Sequence, residues 1–281
     1  MKKQKTNVSV STVNELLEQA RFRESFKMLP HGDTFKDLST VIIIPIRGNR
    51  EEKETIYCDN CKTKHEVTKT VINGLSPIFV EAYKRLIKPM NVPVVEMMVP
   101  GYEVGDAYNT AIEMILNSPG LKDFKYVLTI EDDNIVPFIP NSQGPLMMLY
   151  ECMEKGFDIA GGLYWTKGIP SMPLLYGFPE DKKDSVSGMF SVRYDWKDKP
   201  EGPIECNGLG MGFTLFKMDL FKDKRLEKPW FKTVNENNEQ GQKMYTQDLY
   251  FFEKARELGY RVCVDTRVKV GHLDVKSGII Y

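Results

Sequence analysis

Tyr126-Val127-Leu128-Thr129-Ile130-Glu131-Asp132-Asp133-Asn134 is an apolar run that ends abruptly in three consecutive acids. It reads as a buried strand, and in an open α/β sheet such a strand delivers its last residues to the carboxyl edge, where these folds bind ligands. Three adjacent carboxylates repel one another unless a cation sits among them, so the cluster points to a divalent metal held by hard oxygen ligands. A metal there can neutralise a phosphate-bearing substrate. A solvated acidic turn carries the same letters, so the reading depends on the rest of the chain.

On either side of this run, strand and helix signals alternate. Val41-Ile42-Ile43-Ile44-Pro45 is a first buried strand whose pairing the proline is expected to end. A helix from about Pro77 to Lys88, a strand Val92 to Val99 and a helix from about Val104 to Asn117 lead to the acidic strand. Beyond it come a helix near Pro145 to Lys155 and a strand Asp158 to Gly162. Residues 163–217, rich in Gly, Pro and aromatic residues, read as an antiparallel excursion with substrate-facing loops. A helix from about Gln247 to Leu258, Gly259 as its cap, and strands Tyr260 to Val264 and Arg267 to Val270 complete the body. The expectation is an α/β fold: a mostly parallel central sheet flanked by helices, with a small antiparallel excursion. The expected domain is 41–274. It is preceded by an extension, 1–40, with an amphipathic helix over about 12–28 opened by the capping box Thr12-Val13-Asn14-Glu15, and followed by a tail, 275–281.

The 281 residues are 42% apolar and 27% charged, enough for one large core. With 38 basic and 39 acidic residues the formal net charge is −1, which gives no global attraction to nucleic acid or anionic lipid. No stretch reaches the roughly 18 to 20 consecutive apolar residues of a membrane span, and the polar start lacks a signal peptide's apolar segment. A soluble cytoplasmic protein is expected. Cys152, Cys206 and Cys263 lie in apolar surroundings as small buried residues of a reducing compartment. Cys58-Asp59-Asn60-Cys61, with His65 four residues on, falls in an inserted hairpin spanning about 47–75. The spacing resembles one knuckle of a zinc ribbon, yet a structural zinc needs four ligands and no second pair follows, so a hairpin with two free thiols is the simpler account and zinc the alternative.

Three further segments carry chemistry. Glu205-Cys206-Asn207-Gly208-Leu209-Gly210-Met211-Gly212-Phe213 has glycines that allow close backbone approach. Thr246-Gln247-Asp248 sets a carboxylate at a helix start, as a base or as a first-turn acid favoured by the dipole. Val268-Lys269-Val270-Gly271-His272 ends a strand in an imidazole suited to a metal.

With these residues in view the chain resembles the nucleotide-sugar-dependent glycosyltransferases of the GT-A fold, most closely the large family 2 and its phage relatives. The resemblance runs from about Val41 to Asp274 and rests on the opening strand, on Glu131-Asp132-Asp133 and on the closing run from Thr246 to Val262. It implies that Glu131-Asp132-Asp133 replaces the family's Asp-x-Asp, with Asp133 the main ligand of Mn2+ or Mg2+, and Glu131 and Asp132 at the ribose or a nearby water. His272 would complete the metal site. The family's Glu-Asp pair is Gln247-Asp248 here, so the catalytic-base position of inverting members is kept at Asp248. Pro45 and Arg47, at the exit of the opening strand, fall where the family holds the nucleotide base. Asp106 and Asn109 occupy the donor-loop slot. Trp165 and Gly210 join the donor side, Trp165 beside Lys167 as an aromatic face paired with a cation.

A metal-dependent, inverting transfer of a sugar from a nucleotide diphosphate to a hydroxyl is therefore expected. A nucleotidyltransferase on a related scaffold, or a non-catalytic nucleotide-sugar-binding or virion module, is the alternative. The acceptor stays open among modified DNA bases, proteins and glycans. A phage-encoded chain would act in the host cytoplasm.

Overall fold

The computed structural model describes residues 37–46, 50–58, 61–71, 74–90, 92–139, 142–183, 190–238 and 241–281. The expected helix over 12–28 and Arg47 lie outside the described residues. In chain order, β1 (Thr40–Ile46) is followed by a ribbon of β2 (Arg50–Cys58) and β3 (Thr63–Val71), then α1 (Pro77–Lys84), β4 (Val94–Pro100) and α2 (Val104–Asn117). Next come β5 (Tyr126–Ile130), β6 (Asn134–Ile135), α3 (Pro145–Glu154), β7 (Ile159–Leu163) and β8 (Leu175–Tyr176). A 3-10 turn (Asp195–Asp198) precedes β9 (Pro203–Glu205), β10 (Gly208–Leu209), β11 (Phe213–Lys217) and α4 (Met218–Lys222). The ribbon of β12 (Val234–Asn238) and β13 (Gly241–Tyr245), then α5 (Gln247–Glu257), β14 (Val262–Lys269) and β15 (Gly271–His272) close the chain.

Seven strands form the central sheet in the order β4-β1-β5-β11-β7-β14-β9. The pairs β4–β1, β1–β5 and β7–β14 are parallel, whereas β11 runs against both of its neighbours and β9 against β14. All but β11 and β9 therefore point one way, which is the expected architecture. Successive side chains of β1 feed opposite faces: Val41 and Ile43 join a core with α2, α4 and α5, while Ile42 and Ile44 join one with α1 and α3. A strand covered by helices on both sides reads as an unbroken apolar run for this reason.

Three expectations are corrected. Pro45 does not end its strand. β1 stays in register with β4 to Ile46↔Pro100, and only the β5 side stops early, at Ile43↔Thr129. α1 ends at Lys84, one turn short of Lys88, where the bonds tighten to i→i−3: Arg85 N–H donates to Ala82 O at 3.1 Å and Leu86 N–H to Tyr83 O at 3.0 Å. The two closing strands are one, β14, whose register with β7 jumps between Asp265 and Lys269. The bulge at that jump turns the chain so that Val270 N–H reaches Leu163 O at 2.8 Å and β15 lies antiparallel to β6, with His272 opposite Asn134.

Candidate active site

The apolar β5 drives its own burial, and its last residue, Ile130, hands the chain directly to Glu131. Glu131 N–H donates to Gly212 O at 3.1 Å and Asn134 N–H to Glu131 O at 3.0 Å, so the acids form a tight turn at the sheet edge. Asp133 is 2% exposed. One of its oxygens accepts from the Lys167 ammonium, and the other lies 3.9 Å from His272 Nε2. His272 Nδ1 is 2.7 Å from Trp165 O. A carbonyl only accepts, so Nδ1 carries the hydrogen, and in the neutral ring Nε2 keeps its lone pair on the Asp133 side, the tautomer of a metal-ligating histidine. The ring also stands edge-on to Tyr164, 5.3 Å between centroids. Beyond the strand, Tyr281 exchanges two backbone hydrogen bonds with His272, both 3.0 Å, so the residues expected as a tail buttress the imidazole.

Glu131 accepts from the Tyr108 hydroxyl at 3.1 Å. Burial, then the charges of Asp133 and Asp248, push its carboxyl up to about 8. This coupling places Asp248, on α5, in the same electrostatic neighbourhood as the strand-end acids. Asp248 is half-buried in the first turn of α5, where Thr246 holds the N-cap position, and one of its oxygens accepts from Leu249 N–H at 2.9 Å. Burial raises its carboxyl above the ordinary range despite the hydrogen bonds that oppose the shift. The first turns of α2 and α5 abut, since a Cβ on Gly105 would lie 3.2 Å from Gln247 Cβ.

The remaining expected residues divide. Asp106 is exposed in the first turn of α2, whose cap is Glu103. Asp132 is half-buried beside Glu131 and adds to its raised carboxyl. Trp165 packs against Trp196, 6.3 Å between centroids, and contributes its carbonyl to His272. Pro45 is buried inside β1. Asn109 spends both amide atoms on the Phe231 backbone, donating to its carbonyl at 2.7 Å and accepting from its N–H at 3.1 Å. The space beside Gly210 belongs to Tyr164, whose hydroxyl oxygen would sit 2.2 Å from an added Cβ. Gly212 is likewise constrained by Asn134 at 2.1 Å. The glycines thus admit side chains of this chain itself. Cys61 and His65 lie on the β2–β3 ribbon and meet there, Sγ to Nε2 at 2.8 Å, whereas nothing of the Cys58 side chain is described. Lys167, expected beside Trp165 as a cation paired with an aromatic face, meets Asp133 instead, and Tyr108 and Tyr164 reach Glu131 and Gly212 through contacts that only the fold creates.

Among the described residues, no three His, Cys, Asp or Glu side chains converge tightly enough to hold a metal by themselves. The donor set still fits one. Two ligand atoms each about 2.1 Å from an ion lie roughly 3 to 4 Å apart, which spans the Asp133–His272 separation. Asn134, fully buried next to Asp133, has both amide atoms without a hydrogen bond, so polar capacity there is left over.

No family model matches the chain, and no curated protein matches it. Its fold is similar to that of A197 from STIV, with a TM-score of 0.50 and 16% identity over 86% of this chain and 92% of that one. At that identity the likeness is one of fold. GalNAc-T7 with UDP, GalNAc and Mn2+ aligns at a TM-score of 0.44 and 10% identity, covering 95% of this chain and 53% of the other. UDP-glucose pyrophosphorylase complexed with UDP-glucose aligns at 0.41 and 10%, covering 84% and 92%. Scores this low carry no argument about this chain. No described helix is long and apolar enough to cross a membrane.

Proposed function

We propose that the chain is a GT-A-type glycosyltransferase that moves a sugar from a nucleotide diphosphate to a hydroxyl acceptor with inversion, using a divalent cation. One observation carries the reading. The carboxylate of Asp133 and the imidazole of His272 arrive side by side on paired strands, at the entry to β6 and on β15, with Glu131 and Asp248 in the same electrostatic neighbourhood.

Asp133 and His272 would hold Mn2+ or Mg2+, with Asp132 and Glu131 at the ribose or a bound water. Bound there, the cation supplies Lewis-acid stabilisation of the charge that develops on the departing diphosphate. A site with few protein ligands suits a metal that shares its remaining positions with phosphate and water. The abutting first turns of α2 and α5 add their positive dipole ends, which favour an anion. Lys167, half-buried on Asp133, would offer its ammonium to the same anion. Asp248 acts on the other partner. Its carboxylate accepts the proton of the acceptor hydroxyl as the new oxygen–carbon bond forms and the bond from the anomeric carbon to the phosphate oxygen breaks. Burial makes this carboxylate more basic than an exposed aspartate, as a base working near neutrality requires. Pro45, Arg47, Asp106, Asn109, Trp165 and Gly210 would shape the donor pocket, Asn109 and Gly210 by holding its walls.

Incubating the full chain with a panel of nucleotide sugars and Mn2+ tests the proposal. Free nucleoside diphosphate should accumulate. Release of inorganic pyrophosphate from nucleoside triphosphate and sugar phosphate would instead mark a nucleotidyltransferase, and turnover of neither would leave a binding module.

A further inference from the structure

The β2–β3 ribbon shares no strand pairing with the sheet whose edge carries the acid cluster. Its nine register pairs, from Arg50↔Val71 to Cys58↔Thr63, join only β2 and β3, and neither strand pairs with another described strand. Thr55, Tyr57 and every residue from Cys61 to Glu66 are exposed. An isolated two-stranded ribbon is at best marginally stable in water, and here no buried side chain is described to hold the tip.

At that tip Cys61 Sγ lies 2.8 Å from His65 Nε2 and 2.9 Å from Thr63 Oγ1, while Thr63 Oγ1 lies 3.0 Å from His65 Nε2. Lys62 between them takes φ 55°, a left-handed conformation that a non-glycine residue rarely adopts, and so turns the backbone sharply just after Cys61. Cys58, three residues earlier in the chain, pairs in register with Thr63, two residues from His65. A thiolate pair with an imidazole at this spacing selects a soft or borderline cation over Mg2+.

We infer that the ribbon tip is a zinc site built from Cys58, Cys61 and His65, separate from the acid cluster, with water in the fourth position that an exposed tip leaves open. Sulfur at about 2.3 Å and nitrogen at about 2.0 Å from a tetrahedral zinc lie roughly 3.5 Å apart. Cys61 and His65 need separate by less than about 1 Å to accept it. The two thiols release their protons to solvent as the zinc–sulfur bonds form. The metal then closes the turn and adds stability to a ribbon that pairs with no other described strand.

The full chain, purified without chelator, should contain about one zinc per molecule by elemental analysis. Cys61→Ser and His65→Ala should each lower this below about a tenth, while Asp133→Asn leaves it unchanged. Metal-free parent given Co2+ should develop thiolate-to-metal charge-transfer absorption that Zn2+ abolishes, a readout that needs no variant. Parent that takes up no zinc and shows no such absorption overturns the site, as does Cys61→Ser that keeps its zinc.

Discussion

The proposed base is Asp248, whose carboxyl is raised by burial. Asp248→Asn keeps the shape of the side chain and removes its basicity. Turnover should fall by roughly two to four orders of magnitude, as for loss of a positioned general base, while donor affinity stays within about threefold. Because burial raises this carboxyl, the acid limb of the pH–rate profile should lie above the ordinary carboxylate range, activity being lost as falling pH protonates the base. Stability has the opposite sign. A carboxyl whose folded value is raised contributes stability below its unfolded value and loses it as pH rises through the folded one. Asp248→Asn should therefore melt higher than the parent at neutral pH, the gap closing on acidification; thermal scans across pH check this, and a lower melting temperature for the variant would contradict it.

Among the elements, delivery of His272 depends on the bulge in β14. Asp265, with no exposed surface, is held there by Arg267 through two parallel contacts, Nε to Oδ1 at 3.0 Å and Nη2 to Oδ2 at 2.6 Å. Arg267 also reaches Glu151 on α3 at 2.8 Å, so one guanidinium ties the bulge to the helix beneath it. Removing it strands a buried carboxylate. Arg267→Ala should cost about 3 to 5 kcal/mol in denaturant unfolding, with Arg267→Lys recovering only part because an ammonium cannot form the fork. A loss under about 1 kcal/mol would show that the bulge holds itself. The elements legible in the sequence were those with an unbroken apolar run or a cap at each end: β1, β5, α2 with its bounds at Val104 and Asn117, and α5 up to Gly259, whose φ is +90°. The bulge was not. Asp265 and Arg267 look in sequence like the polar break between two strands, and only their ion pair, buried on the Asp265 side, shows that the strand continues.

For the whole molecule, sequence reading placed the acids, Asp248 and His272 at one edge because strand ends and a helix start are positions a pattern can mark. It set Lys167 beside Trp165 as a cation paired with an aromatic face but could not give its partner, Asp133, nor bring Tyr108 to Glu131 or Tyr164 to Gly212, because these are contacts between segments distant in the chain. Nor could it tell that Gly210 and Gly212 make room for Tyr164 and Asn134. The proposed chemistry requires this assembled edge to bind a nucleotide diphosphate through a cation held by Asp133 and His272. Calorimetric titration of the full chain with nucleoside diphosphates, with Mn2+ and with chelator, measures that binding without knowledge of the acceptor. Binding should appear for at least one base only when Mn2+ is present, and Asp133→Asn and His272→Ala should each weaken it by tenfold or more while the melting transition persists. Binding that is equally tight in chelator, or unchanged in both variants, would contradict a cation-bridged site at this edge.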